Sequence, residues 1–170
     1  WVYTPRLREG FADLEQGAHE MEGVALTQRG VEAAEDGFVS FAVHTPYIIV
    51  GEVDQIGPPS KIHGAAILTY QSLGPTTVCV SVDDGFTWQT VGGTTGKDVT
   101  TIDLTPQVVD HYDYLVRFDL PAGSGLDEFS LTTWTQLSPP SLPRLTKGNN
   151  TFRYETGDRH GYHTTVKEIR

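Results

Sequence analysis

The sequence contains a single cysteine, Cys79, so no disulfide can close within the chain and the fold must be held by its core alone. Long apolar runs are missing as well. Nowhere do about 20 apolar residues follow one another, which excludes a membrane-spanning helix. Basic charge is scarce: 12 Lys and Arg stand against 22 Asp and Glu, a net charge of −10. A surface of that sign repels a phosphate backbone, so nucleic acid is excluded as a partner class. No basic-then-apolar leader precedes the first strands. The start at Trp1 and the end at Arg170, without tail or retention signal, lead us to expect a module cut from a longer polypeptide.

What is present is turn chemistry and β-formers. The 170 residues include 18 Gly and 10 Pro, which describes a turn-rich globular chain, and that length suits one domain spanning residues 1–170. The acidic excess sits in the first half: residues 1–85 hold 12 acids and 4 bases, residues 86–170 hold 10 and 8. Residues 5–22 lack a sustained apolar period and read as a lead-in loop with one helical turn near Phe11 to Gln16. After them come short runs rich in Val, Thr, Phe and Tyr, separated by Gly, Pro or Asp. They predict strands near 23–29, 38–43, 46–54, 64–71, 76–82, 86–91, 99–104, 111–120, 127–137 and 150–156. No repeat of 20 to 50 residues is found, against a propeller or solenoid. The expected fold is an all-β antiparallel sandwich, jelly-roll-like or immunoglobulin-like.

Successive residues of a strand face opposite sides of the sheet. In 111–120 this sends Tyr112, Tyr114, Val116, Phe118 and Leu120 inward and leaves Asp113, Leu115, Arg117 and Asp119 outside. In 127–137 the inner row is Phe129, Leu131, Thr133, Thr135 and Leu137, and Glu128, Ser130, Thr132, Trp134 and Gln136 lie opposite. Val39, Phe41 and Val43 face in, as do Val78, Val80 and Val82, and Phe152 and Tyr154. Cys79, in the run TVCVS, reads as a small buried thiol with no base beside it to make it a nucleophile.

Ser81 to Trp88 (SVDDGFTW) fits S-x-D-x-G-x-T-W, the Asp-box pattern seen in sialidases and other secreted β proteins. Its mechanics are those of a hairpin: Asp83 bonds turn backbone, Gly85 takes a positive φ, and Trp88 packs over the turn. With one copy in the chain, no neuraminidase activity is implied. From Gly37 to Gly157 the segments GFVSFAVHTPYIIVGEVD, VCVSVDDGFTWQTV, IDLTPQVVDHYDYLVRFDL, LTTWTQLSPPSLPRL and GNNTF resemble the β-sandwich accessory domains attached to large bacterial carbohydrate-active enzymes. That resemblance implies a secreted, extracellular or periplasmic module whose partners are a polysaccharide and the neighbouring domains of its own polypeptide. It carries over no ligand residue.

Face arithmetic supplies the candidates. Trp134, an aromatic ring on a polar strand face, offers a flat platform to the C–H face of a pyranose. Thr132, Gln136 and Glu128 stand beside it to bond hydroxyls, and Arg117 or Arg153 on a neighbouring strand would read a carboxylate or sulfate. Acid-rich turns at Glu35-Asp36, Asp83-Asp84 and Asp127-Glu128 are candidates for a structural calcium. Asp158, His160 and His163 have ligand-type side chains, without a zinc signature. No nucleophile elbow, phosphate loop or dinucleotide fingerprint is present. Nothing specifies the paired carboxylates of a glycosidase, although His111, Tyr112, Arg117 and His163 are the residue types a polysaccharide lyase uses. The sequence therefore points to a non-catalytic carbohydrate-binding module, with a structural spacer and a small lyase or hydrolase as the alternatives.

Overall fold

Alternating β-formers between turn residues set the element order. The computed structural model describes residues 1–53, 62–136, 148–156 and 160–169, with residue 53 and the last two segments as backbone only. The strands are β1 (Val2–Tyr3), β2 (Ala18–Thr27), β3 (Gly30–His44), β4 (Glu52–Val53), β5 (Ile62–His63), β6 (Ala66–Ser72) and β7 (Thr76–Ser81). They continue with β8 (Gln89–Thr94), β9 (Val99–Asp103), β10 (Asp113–Leu120), β11 (Gly125–Thr133), β12 (Gly148–Thr156) and β13 (His160–Ile169). Helix is confined among the described residues to α1 (Asp13–Gly17) and α2 (Thr105–Val108), neither long enough nor apolar enough to cross a membrane.

One hydrogen-bonded sheet of order β8-β7-β10-β3-β11-β6-β9 wraps into two layers, with β1 added to β11 and β2 to β3. Its strands all pair antiparallel. The 15-residue β3 is the seam. Its Gly37–His44 stretch pairs with β10, whereas Val31 and Glu32 pair with Leu126 and Gly125 of β11. Two glycines let β2 follow β3 through this change of layer. Gly23 holds φ 66, and a Cβ there would stand 2.9 Å from the Asp36 carbonyl oxygen. Gly37 admits a similarly close approach from the Glu22 carbonyl, and no side chain larger than hydrogen fits either place.

The layers meet through aromatic rings. Phe41 of β3 and Phe118 of β10 face Phe129 of β11 at centroid distances of 4.6 and 5.4 Å. Tyr70 of β6 contacts Phe118 at 5.5 Å, and Tyr3 closes the cluster on Phe129 at 5.7 Å. Such tilted and edge-on pairs are the favoured geometries and add to the burial of the rings. A polar tether joins β10 to β11 inside this core: the Tyr114 hydroxyl lies 2.6 Å from Thr133 Oγ1. Burial pushes the Tyr114 phenol well above its ordinary value. The molecule is thus an antiparallel β-sandwich, as the alternation of the sequence implied.

Several expectations need correction. Residues 18–22 are not lead-in loop but the start of β2; His19, Glu20, Met21 and Glu22 are all exposed there, so no apolar alternation marks the strand. Of the run 46–54, Glu52–Val53 is strand, as β4, whereas residues 46–51 are not, and residue 54 lies outside the described residues. Pro46 withholds a backbone donor, and the segment crosses the end of the sandwich, with Ile49 N–H donating to His111 O at 2.8 Å and forming a bridge to Thr135. β8 begins at Gln89, so Phe86 and Trp88 belong to the turn before it. Tyr112 and Val82, expected inside, lie just beyond the ends of β10 and β7 and are exposed. Leu115, expected outside, is buried because the turn after β7 folds over it; a Cβ on Gly85 would stand 3.5 Å from its Cδ1. His160 and His163, two of the ligand-type residues, lie on β13, paired to β12. Asp158 and Leu137 lie outside the described residues, as do the side chains of Phe152 and Tyr154.

Candidate functional site

β11 carries the alternation that builds the site. Phe129, Leu131 and Thr133 are buried, whereas Glu128 and Trp134 stand exposed on the outer face with Ser130 and Thr132 half-buried between them. The indole of Trp134, one residue beyond the strand end, is 61% exposed. Its backbone is fixed from two sides: its N–H donates to Ala65 O at 2.8 Å, and its carbonyl accepts from Val50 N–H at 3.0 Å. A mobile ring on a mobile loop would lose entropy on binding; here only the two side-chain torsions remain free. The ring borders a groove of about 350 Å³ lined also by Gly51, Glu52, His63, Gly64 and Ile67. The β4–β5 hairpin forms its far wall, with Glu52 registered against His63.

The polar candidates on this strand fall along one face. Thr132 is registered between Val2 of β1 and Ile67 of β6, two residues from Trp134. Gln136 is exposed beyond it, its N–H donating to Ile48 O at 2.9 Å. Glu128 is exposed and registered against Gln71, and six residues of strand set it roughly 20 Å from Trp134. At the level of Ser130 a row of hydroxyls crosses the strands: Thr4 Oγ1 donates to Ser130 Oγ at 3.3 Å, Ser130 is registered against Thr69, and Thr69 Oγ1 lies 3.0 Å from Thr101 Oγ1. The outer face of β1, β11, β6 and β9 therefore offers a row of hydroxyls across its strands and an indole at one end.

Arg117 is not part of this face. Its strand, β10, has β3 and β7 as neighbours, not β11, so the expected adjacency is corrected. The guanidinium lies on the outer side of the other layer, 2.6 Å from Asp119 Oδ1 and over the rings of Phe38 and Trp88 at 4.3 and 5.4 Å. For Arg153 the backbone is in β12, registered against His163, and its side chain lies outside the described residues.

Comparison with chains of known structure finds weak likenesses. This chain is similar to carbohydrate-binding modules. A carbohydrate-binding module of family 29 superposes with TM-score 0.44 at 12% identity, covering 78% of this chain and 86% of that one. The Podospora anserina GH26-CBM35 β-(1,4)-mannanase gives 0.40 at 13% identity over 81% of this chain and 29% of that one. The C-terminal CBM6 of the laminarinase LamC from Zobellia galactanivorans gives 0.38 at 12% identity over 78% of this chain and all of that one, 100%. No family model and no curated protein matches the sequence.

The turn at Ser81 to Trp88 joins β7 to β8 on the Arg117 layer. Asp83 organises it, accepting from the Thr87 hydroxyl at 2.6 Å, from Thr87 N–H at 2.9 Å and from the Ser81 hydroxyl at 2.7 Å. These bonds, the Thr87 hydroxyl first, hold the carboxyl at about 2. Gly85 takes φ 85, and Trp88 packs against it. Of the acidic turns expected to hold calcium, Asp83 is engaged by Ser81 and Thr87. Asp127 bonds Arg8 at 2.7 Å, and Asp36 accepts from Ala122 N–H at 2.9 Å. Among the described residues no three His, Cys, Asp or Glu side chains gather as a ligand set. Cys79 is buried near Thr90 and Asp119, and burial pushes its thiol up.

Sequence reasoning missed Glu52, His63 and the hydroxyl row. Each depends on register between distant strands, and period-two alternation reports only the face on which a residue stands. The exposed Ile62 and His63 on a two-residue strand give no local pattern at all.

Proposed function

We propose that this chain is a non-catalytic carbohydrate-binding module of a larger secreted, bacterial enzyme. The observation that carries the reading is the exposed indole of Trp134, its backbone clamped on both sides, bordering an open groove beside hydroxyl and amide side chains. Aromatic rings of this size bring a large, rigid contact area at low entropic cost, and a pyranose presents a C–H face to such a ring with hydroxyls at its rim. Thr132 and Gln136 supply the nearby polar contacts, and the hydroxyl row and Glu128 extend the face for further sugar units. Binding keeps the attached catalytic domain near a polymeric substrate by raising its effective concentration. Neighbouring domains of the same polypeptide are the other partners.

The test is affinity electrophoresis of the chain against a panel of polysaccharides, wild type beside Trp134→Ala. Retardation by at least one polysaccharide, abolished in the variant, supports the reading. Failure to be retarded by any of them leaves a spacer domain, and release of unsaturated sugars from a uronate polymer, followed by ultraviolet absorbance, replaces the binding module with a lyase.

A further inference from the structure

We propose that the groove at Trp134 selects glycans that carry no carboxylate or sulfate group, a proposal that rests on the groove being a sugar site. The ground is the charge that the described residues place around the indole. Glu52 lines the groove with its side chain 90% exposed, and His63 faces it, with Nε2 3.9 Å from Oε2. Asp103 stands one strand further along the same row, registered against Ile67 of the groove wall, which is itself registered against Thr132. Its Oδ2 accepts from the N–H of Gly64, another groove residue, at 3.3 Å. Burial pushes this carboxyl up, yet hydrogen bonds from the Thr105 hydroxyl, the Thr105 N–H and the Gly64 N–H, together with the charge of His63, outweigh it and keep Asp103 an anion. Glu128 carries negative charge further along the face. The Arg117 guanidinium lies on the opposite layer and is engaged by Asp119.

An anionic sugar laid on the indole would bring its charge up to Glu52 on the groove wall and toward Asp103 behind it. Like charges repel at such range, and the net charge of −10 extends the repulsion outward at low salt. A neutral pyranose meets the opposite situation. Its hydroxyls are donors, and a carboxylate acceptor makes the stronger, charge-assisted kind of hydrogen bond with them. The groove thus discriminates by adding repulsion against one class and acceptors for the other.

The experiment is affinity electrophoresis of the full chain in gels containing galactomannan, xyloglucan or mixed-linkage β-glucan, and in gels containing alginate, polygalacturonate or carrageenan, each at low and high salt. The expected result is retardation in at least one neutral gel, lost in Trp134→Ala, and migration in the anionic gels equal to that in an empty gel. Glu52→Lys, a change at an exposed position, is expected to gain retardation in the anionic gels at low salt and to lose it at high salt. Retardation of the wild type in an anionic gel, released by Trp134→Ala, overturns the selectivity while leaving the sugar site standing. Retardation in neutral gels that Trp134→Ala leaves intact overturns the site itself, and absence of retardation in every gel overturns both.

Discussion

Removing the Tyr114 hydroxyl tests whether the two layers are apposed as described. Tyr114 and Thr133 come from β10 and β11, are 2% and 0% exposed, and bring their hydroxyl oxygens to 2.6 Å. Tyr114→Phe leaves the Thr133 hydroxyl buried without its partner, and Thr133→Val leaves the phenol in the same position. An orphaned buried polar group costs about 1–3 kcal/mol. In a domain of this length each kcal/mol lowers the melting temperature by about 2–4 °C. The double variant removes both polar groups and so escapes the desolvation penalty. It is therefore expected to be more stable than the sum of the single losses by about 1 kcal/mol or more. Urea unfolding of the four proteins, followed by tryptophan fluorescence, measures the coupling. Additive losses, agreeing within about 0.5 kcal/mol, would refute the pairing and with it the facing of β10 on β11.

Three further outcomes follow from the same geometry. Gly23→Ala places a Cβ at φ 66 and 2.9 Å from the Asp36 carbonyl, so thermal unfolding is expected to show a loss above about 1 kcal/mol; an unchanged midpoint would mean that β2 does not bend there. Asp83 sits at about 2 against an ordinary 3.8, a lowered value, so its contribution is complete above 3.8 and fades as pH falls through that value toward 2. Stability measured across that window is expected to fall less steeply in Asp83→Asn than in the wild type, and parallel curves would contradict the hydrogen bonding assigned to the turn. Cys79, with its thiol raised by burial, is expected to react with a disulfide reagent only as fast as the protein opens, which rapid labelling in native buffer would disprove.

The layered architecture was legible because the inner rows of β10 and β11 alternate cleanly: Tyr114, Val116 and Phe118 on one strand, Phe129, Leu131 and Thr133 on the other. The same alternation turned Trp134 outward. Strand ends were less legible, since parity continues on paper after the ladder has stopped; Tyr112 and Val82 sit past the last pair and escape the core. Leu115 shows the converse, an outer position buried by a turn that arrives from another part of the chain. Arg117 was misassigned to the neighbourhood of Trp134 because face parity says nothing of strand order, and β3 and β7 flank β10. β2 was illegible in its first half because His19 to Glu22 are all exposed, which leaves no apolar period to detect.

The most direct test of the site is isothermal titration of whichever polysaccharide the chain binds, carried out on wild type, Trp134→Phe and Trp134→Ala beside urea unfolding of all three. The indole is 61% exposed, so the unfolding midpoints should coincide within about 0.5 kcal/mol. Affinity should fall by about 2 kcal/mol or more in Trp134→Ala, some thirtyfold, and by less in Trp134→Phe, where part of the platform survives. Equal affinities across the three proteins would contradict the assignment of sugar binding to this ring.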